Sequence, residues 1–262
     1  MSLSKNELKD IKSLSTKKGR KAQNCLLAEG VRVLEEALRH QVHPDLVVWA
    51  PSAESDRVNR LISSFQRAGV PCEEISAKQL QGITEAKAAQ PILATIPYRF
   101  RPVSQLLDQN ARRVLMCDSI SDPGNLGTLI RSGLAFRFDR ILLTGESADP
   151  FSPKVVRSSA GSIFGVQIAK TTADEIKPMI TGNEFRVIGS SVEARPDSFE
   201  LNQKLAEERL ILAIGSEADG LSNEIANLCS GFIRLRHVVQ VESLNAAVAG
   251  SILMEKIYEL EQ

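Results

Sequence analysis

Five short, largely apolar runs in the C-terminal part of the chain constrain its fold more than any other feature. They are Arg113–Cys117, Arg140–Thr144, Phe185–Gly189, Leu210–Ile214 and Gly231–Leu235. Continuous rather than alternating apolar runs are typical of parallel strands that are buried on both faces of a sheet. Helical spacing follows at about Leu126–Phe136 and at about Ser243–Glu261. The pattern predicts an α/β domain with a mostly parallel sheet.

The first hundred residues alternate helical and strand patterns on a smaller scale. Helical spacing covers Val31–Leu38 and Val58–Phe65, and strand-like runs cover Leu46–Trp49 and Gly69–Ile75. A proline-rich seam follows, and prolines at this spacing interrupt regular structure. We therefore predict a smaller α/β domain over residues 1–100, a linker over 101–110 and a second domain over 111–262.

Charge and cysteine usage narrow the classes of function. Lys+Arg and Asp+Glu are each 32 in 262 residues, so any nucleic-acid-binding patch must be local. The cysteines are far apart and form no CxxC pair, which speaks against a zinc site and a disulfide framework. No apolar run approaches the roughly 20 residues of a membrane span, and the N-terminus lacks a signal-peptide core. We expect a cytoplasmic protein with no membrane and no metal.

The first segment with candidate chemistry is Asn125-x-Gly127-x-x-x-Arg131, where a strand passes into a helix. Open α/β sheets place their ligands at such points. The planar fork of an arginine can face a phosphate or a carboxylate. The alternative is a plain turn that Asn125 caps, with Arg131 on a solvated helix face.

The second segment places Gly215 and Gly220 five residues apart, directly after an apolar run. Glycines at this point permit a ligand to approach the backbone closely. Glu217 lies between them, and Ser222 is placed to cap a following helix. The segment is neither GxGxxG nor GxxxxGK[ST], so it supports neither a dinucleotide site nor a Walker phosphate loop. Taken alone, it is equally consistent with a simple glycine-rich turn.

The third segment, Ser243-Leu244-Asn245, stands at the entrance of a helix with small apolar residues. Its alternative interpretation is a capped and buried C-terminal helix, whatever the function. Ser243 is not predicted to be a hydrolase nucleophile, because the GxSxG elbow is absent and no histidine lies in the three segments.

Together and in this order, the three segments resemble the signature motifs of the SpoU/TrmH family. These are the 2′-O-ribose methyltransferases of the SPOUT superfamily. Lys154–Gly161 resembles the segment between the first two motifs, so the resemblance covers roughly residues 110–260. It implies a deep trefoil knot and a homodimer whose active site forms where the subunits meet. Ala28-Glu29-Gly30 and the helix after it resemble, more loosely, an L30e-like RNA-binding domain.

The resemblance also implies which residues do what. The methyl donor S-adenosylmethionine would be held, without a metal, by Gly215, Gly220, Leu221, Leu235 and Leu244. The catalytic group would be Arg131, Asn125, Glu217, Ser243 and Asn245. Arg131 is the family's candidate for activating the ribose hydroxyl. Because a guanidinium offers hydrogen-bond donors and no acceptor, we expect it to position the hydroxyl rather than act as a base.

The RNA would meet phosphate contacts from Lys17, Lys18, Arg20 and Lys21. The alternative for this charge run is a solvated N-terminal helix. Ribosomal RNA is the expected substrate; the alternatives are a tRNA 2′-O-methyltransferase and a non-catalytic RNA-binding ribosome assembly factor. One departure favours the last: Leu235-Arg236-His237 and Val239 stand where many members carry Ile-Pro-Met and a glycine.

Overall fold

The computed structural model describes residues 3–51, 55–84, 90–182, 185–191, 208–235 and 243–261. The chain forms two compact units. The first combines Met1–Arg99 with Asp149–Phe164, and the second combines Phe100–Ala148 with Gly165–Gln262. The segment Asp149–Phe164 therefore packs with the first unit, although it lies inside the range predicted for the second domain.

The first unit has a four-stranded sheet in the order β1-β4-β2-β3. Strand β4 is antiparallel to β1 and β2, whereas β2 and β3 are parallel. The strands are β1 (Cys25–Glu29), β2 (Leu46–Trp49), β3 (Cys72–Glu74) and β4 (Ile92–Pro97). The helices are α1 (Lys5–Ser13), α2 (Lys17–Gln23), α3 (Val31–Arg39), α4 (Ser55–Arg67), α5 (Ala77–Ile83) and α8 (Pro153–Ser158).

Helices α1 and α5 cover one face of this sheet. Ile11 and Leu14 from the α1 region pack with Leu80 and with the strand residues Leu27 and Leu93 in one buried cluster. A capping box starts α1, because the Ser4 and Glu7 side chains each bond the other's backbone N–H.

The segment Asp149–Phe164 is fastened to the first unit by charge and by ring packing. Arg20 Nη2 lies 2.6 Å from Asp149 Oδ2, and Arg157 Nη1 lies 3.2 Å from Glu29 Oε2. The Phe151 ring stacks on Tyr98, with 3.9 Å between the ring centroids. Val155 and Val156 are fully buried. This segment is thus part of the first unit's core.

The second unit has a six-stranded sheet in the order β10-β8-β9-β5-β6-β7, and all neighbouring strands are parallel. The strands are β5 (Arg113–Asp118), β6 (Arg140–Thr144), β7 (Gln167–Lys170), β8 (Phe185–Ser191), β9 (Arg209–Ile214) and β10 (Gly231–Arg234). The helices are α6 (Val103–Leu106), α7 (Pro123–Ala135), α9 (Ala173–Gly182), α10 (Asn223–Ala226) and α11 (Ala246–Glu259). The predicted mostly parallel sheet is confirmed.

Strand β5 lies inside this sheet between β9 and β6, and its apolar residues from Val114 to Cys117 are fully buried. Since all six strands run in the same direction, their carboxyl ends meet at one edge of the sheet. Ligands of open parallel sheets bind at this edge. Within the described ranges, no helix is long and apolar enough to cross a membrane.

Helix α7 begins at Pro123, three residues before the predicted start. Asp122 is its cap and accepts a hydrogen bond from Asn125 N at 2.9 Å, while Pro123 occupies the first turn. The interpretation of Asn125 as the cap is therefore wrong. Asn125 lies in the first helical turn, and its side-chain amide is available for other contacts.

Candidate active site

Side chains from all three motifs meet at the carboxyl edge of the parallel sheet. Asn125 Nδ2 donates to Glu217 Oε1 at 2.9 Å, and Asn245 Nδ2 donates to Asn125 Oδ1 at 2.9 Å. Asn245 Nδ2 also donates to Glu217 Oε1. We call Asn125, Glu217 and Asn245 the amide–carboxylate triad. It joins residues that are 92, 120 and 28 positions apart in the sequence.

Two packed helices present the amides of this triad. Asn245 is the N-cap of α11, and its Oδ1 accepts from Ala247 N at 3.0 Å and from Val248 N at 3.1 Å. This double contact leaves Nδ2 to point at the triad. Helices α7 and α11 are also joined by a 2.7 Å hydrogen bond between the Ser132 and Ser251 hydroxyls.

The carboxylate of the triad sits at the tip of a closed loop. Two backbone hydrogen bonds, of 2.9 and 3.1 Å, join Ser216 to Gly220. A Cβ on Gly215 would lie 2.1 Å from the Gly220 carbonyl carbon, so this close approach requires glycine. Gly220 itself has open space around it but a φ of +69°, which side-chain-bearing residues rarely adopt. The loop therefore needs both glycines, for different reasons.

Asp118, which is not among the predicted site residues, bonds to the end of this loop. It ends β5 and is 1% exposed. Its Oδ1 accepts from the Thr144 hydroxyl at 2.7 Å, and its Oδ2 accepts from Ser222 N at 2.7 Å. The signal in the sequence was a charged residue at the end of an otherwise apolar run.

Two of the predicted catalytic residues do not join the triad. Arg131 is exposed on α7, and Ser243 is exposed just before α11. Neither side chain forms a hydrogen bond or ion pair within the part of the chain that the structure describes. The structure thus brings together three of the five predicted residues.

The residues predicted to hold the methyl donor lie around the same edge. Gly215 is buried directly after β9, while Leu221, Leu235 and Leu244 are half-buried. Leu221 packs against Gly189, where an added Cβ would come within 2.9 Å of its Cδ1. Positions 236–239, which carry most of the departure from the family pattern, lie outside the described residues.

Two of the free thiols, one in each unit, have raised pKa values. Burial, and secondarily the neighbouring Asp118, raises the pKa of the Cys117 thiol, and burial with the adjacent Asp45 raises that of Cys25 to about 11. Thiols with raised pKa values are poor nucleophiles at neutral pH. Among the described residues, no three or more His, Cys, Asp or Glu side chains form a group that could hold a metal ion.

The predicted RNA contacts divide into two kinds. Lys17, Lys18 and Lys21 are exposed on α2. Arg20 is only 3% exposed and donates to the carbonyls of Leu14 and Ser15, each at 2.8 Å, as well as to Asp149. Its assignment to RNA phosphates is corrected, because its guanidinium is buried and already donates to these groups inside the first unit.

Two family profiles divide the chain between them. That of the SpoU rRNA Methylase family matches residues 112–255, and that of the MRM3-like substrate binding domain matches residues 5–94. The chain belongs to the SpoU rRNA methylase family, with an N-terminal substrate-binding domain. It is 31% identical over 248 residues to 23S rRNA (guanosine(2553)-2′-O)-methyltransferase RlmP of Bacillus subtilis, covering 95% of this chain and 94% of that protein.

Solved structures agree with this assignment. An rRNA methyltransferase from Sinorhizobium meliloti with bound AdoMet (S-adenosylmethionine) superimposes with a TM-score of 0.84 at 25% identity, covering 99% of this chain and 96% of that one. The SpoU methyltransferase AviRb from Streptomyces viridochromogenes, in complex with AdoMet, gives a TM-score of 0.83 at 22% identity, with 98% of both chains covered. The second match supports the fold alone.

Proposed function

We propose that this protein transfers the methyl group of S-adenosylmethionine to a ribose 2′-hydroxyl in ribosomal RNA. The observation that carries the proposal is the amide–carboxylate triad, which gathers one residue from each family motif at the edge where parallel sheets bind ligands. The similarity to RlmP, a named 23S rRNA 2′-O-methyltransferase, favours ribosomal RNA over tRNA.

The residues around the triad fit the methyl donor. Half-buried Leu221, Leu235 and Leu244 offer apolar surface to an adenine ring, and Gly215 and Gly220 offer backbone groups without side chains. The donor supplies an electrophilic methyl group on its sulfonium, so the protein's task is to position the acceptor. Arg131 lies outside the group assigned to donor binding.

The triad is suited to hold the ribose. Both amides donate to Glu217 Oε1, which leaves Oε2 without a hydrogen-bond partner among the described residues. Oε2 can accept a hydrogen bond from a ribose hydroxyl, whose orientation is then fixed by a carboxylate that cannot rotate freely. The Arg131 guanidinium would orient the reacting hydroxyl or a phosphate and stabilise negative charge as it develops. Ser243 would add a hydroxyl at the same helix entrance.

We infer that two copies of the chain complete each site. Arg131 is exposed on α7 and bonds to none of the triad, so it can reach a substrate that is held by a second copy of the chain. Val248 on the neighbouring α11 is 46% exposed and offers apolar surface to a second copy. The family relationship also leads us to propose the trefoil knot in the C-terminal part of the sheet.

The first domain is proposed to dock the RNA. The sequence division into 1–100, a linker over 101–110 and 111–262 is retained for this proposal, with Asp149–Phe164 added to the docking unit because it packs there. Lys17, Lys18 and Lys21 would contact phosphates, which position an RNA without reading its sequence. We place the protein in the cytoplasm, where its four free thiols stay reduced.

Calorimetric titration with S-adenosylmethionine in the presence of EDTA tests the proposal. Binding at micromolar concentration is expected. EDTA should not prevent it, because no step assigned to these residues requires a metal. No binding, with or without added divalent ions, would favour a non-catalytic assembly factor, the function that the changed 235–239 segment supports. Mapping of 2′-O-methyl sites in total RNA with and without the gene then identifies the nucleotide, and a site in tRNA would refute the assignment to ribosomal RNA.

A further inference from the structure

We propose that Asp118 is a positioning residue that holds the 215–222 loop in the shape that binds the methyl donor. This inference rests on the proposed function. Asp118 is almost completely buried, and both of its carboxylate oxygens are bonded within the protein. It therefore does not touch a substrate, and its effect must pass through the groups that it bonds.

Asp118 connects the end of the 215–222 loop to β5, the strand that also pairs with the residue before the loop. The loop starts after β9, where Ile214 pairs with Cys117 of β5. At its other end, Ser222 N donates to Asp118 Oδ2, one residue further along β5. Both ends of the loop are thus tied to consecutive residues of one strand. Between them, the Ser216–Gly220 bridge leaves Glu217 at the tip.

Thr144 keeps the carboxylate itself in place. Its hydroxyl donates to Oδ1 from the end of β6, on the other side of β5. Asp118 therefore links the ends of β5 and β6 to Ser222 at the end of the loop, and its second oxygen faces Ser222. A buried acceptor with both oxygens bonded is a rigid anchor, and removing one contact leaves a buried polar group unsatisfied.

The substitution Asp118→Asn tests the anchor with little change in size. An amide can still accept the Thr144 hydrogen bond through its oxygen, but its NH2 would then face the Ser222 N–H, donor against donor. In the ligand-free protein, exchange of the Ser222 amide hydrogen is expected to accelerate by about tenfold or more. The Kd values of S-adenosylmethionine and S-adenosylhomocysteine should rise by similar factors of about tenfold. The KM for the donor should rise likewise, while kcat at saturating donor stays within about threefold, because bound donor restores the loop shape.

Asp139→Asn is the matched control. Asp139 is an exposed carboxylate just before β6, outside the 215–222 loop, and the same acid-to-amide change there should leave exchange at Ser222 and both Kd values unchanged. Thr144→Val removes only the hydrogen bond to Oδ1, so its effect on Kd should be smaller than that of Asp118→Asn.

A second pair of variants avoids the buried strand. Ser222 has a φ of −60°, which proline adopts, so Ser222→Pro removes the donating N–H with a compatible φ. Ser222→Ala removes the same hydroxyl cap but keeps the N–H. Weak donor binding by Ser222→Pro, with nearly normal binding by Ser222→Ala, is the expected result even if Asp118→Asn fails to fold.

Three results would overturn the inference. Unchanged exchange at Ser222 together with unchanged Kd values would show that the contact does not shape the loop. A loss of affinity for S-adenosylmethionine alone would mean that the carboxylate acts through its charge on the sulfonium and not through the loop. Equal binding by Ser222→Pro and Ser222→Ala would also contradict it. If the wild-type protein binds no donor, the proposed function fails. Hydrogen exchange at Ser222 still shows whether its bond to Asp118 shapes the loop.

Discussion

One polar network in each unit of this molecule shows two opposite uses of polar side chains. In the first unit, each buried charge has a partner: Arg20 pairs with Asp149 and Glu29 pairs with Arg157, and both pairs fasten the Asp149–Phe164 segment. In the second unit, the Asn125–Glu217–Asn245 triad lies at an exposed sheet edge and leaves a carboxylate oxygen open. Polar networks that close on themselves stabilise a fold, whereas networks with an open acceptor are suited to bind a substrate.

The largest expected effect is on the rate of methyl transfer, and it comes from Arg131, which belongs to neither network. Arg131→Ala should lower the single-turnover rate of methyl transfer by about 100-fold or more and leave donor affinity nearly unchanged. Arg131→Lys should rescue little, because lysine lacks the planar fork. Arg137→Ala is the matched control: this exposed arginine follows α7 and lies 5.5 Å from the Tyr258 ring centroid. If the Arg131 variants turned over within about threefold of wild type, as Arg137→Ala should, the catalytic assignment would be wrong.

The next effect concerns the closed network of the first unit. Glu29 is buried and accepts from Thr84 Oγ1 at 2.7 Å as well as from Arg157. Glu29→Gln should lower the free energy of unfolding by about 1–3 kcal/mol, because an amide cannot replace all of these contacts. Urea denaturation measures this.

Glu35→Gln supplies the control for that measurement. Glu35 pairs with Arg57 on the surface, with side-chain exposures of 34% and 48%. Its loss should cost less than about 1 kcal/mol, as is usual for exposed pairs. Equal losses for Glu29→Gln and Glu35→Gln would remove the distinction between the closed network and an ordinary surface pair.

A smaller effect is expected from the exposed lysines. Replacing Lys17, Lys18 and Lys21 with Ala should weaken RNA binding about tenfold at moderate salt and reduce the slope of log K against log salt by about 2 to 3. Arg20→Ala should instead lower the thermal midpoint, because it leaves Asp149 and two backbone carbonyls without their donor. An unchanged salt slope in the triple variant would show that α2 is only a solvated surface.

Much of the parallel sheet follows from the sequence because five of its strands are largely apolar runs. Arg140–Thr144 is reproduced residue for residue, and the other four runs differ by one or two residues. Strand β7 (Gln167–Lys170) was missed because it is a short edge strand with a polar residue at each end. Strand β4 was missed because Pro91 and Pro97 suggested an interruption, whereas Pro91 directly precedes this inner strand of the first sheet and Pro97 is its last residue.

The site was predictable in part, and for a physical reason. Side chains that determine the chemistry, such as Asn125 and Glu217, fall into motifs with fixed spacing. The contacts of Asp118 and Arg20 are long-range, joining residues 104 and 129 positions apart, and no local pattern encodes them. In the sequence, Arg20 is one more charge in a basic run, and only the fold shows that it is buried.

The most direct test of the account is the chemical identity of the product. Purified protein, S-adenosylmethionine with a labelled methyl group and ribosomal RNA lacking the modification should yield a 2′-O-methylated nucleoside on digestion and mass spectrometry. Asn125→Ala removes a member of the triad, and Glu217→Gln replaces the open acceptor oxygen Oε2 with an NH2 donor, so each should reduce that yield strongly. A label on a base, or equal yields from wild type and both variants, would contradict the claim that this triad directs methyl transfer to a ribose hydroxyl.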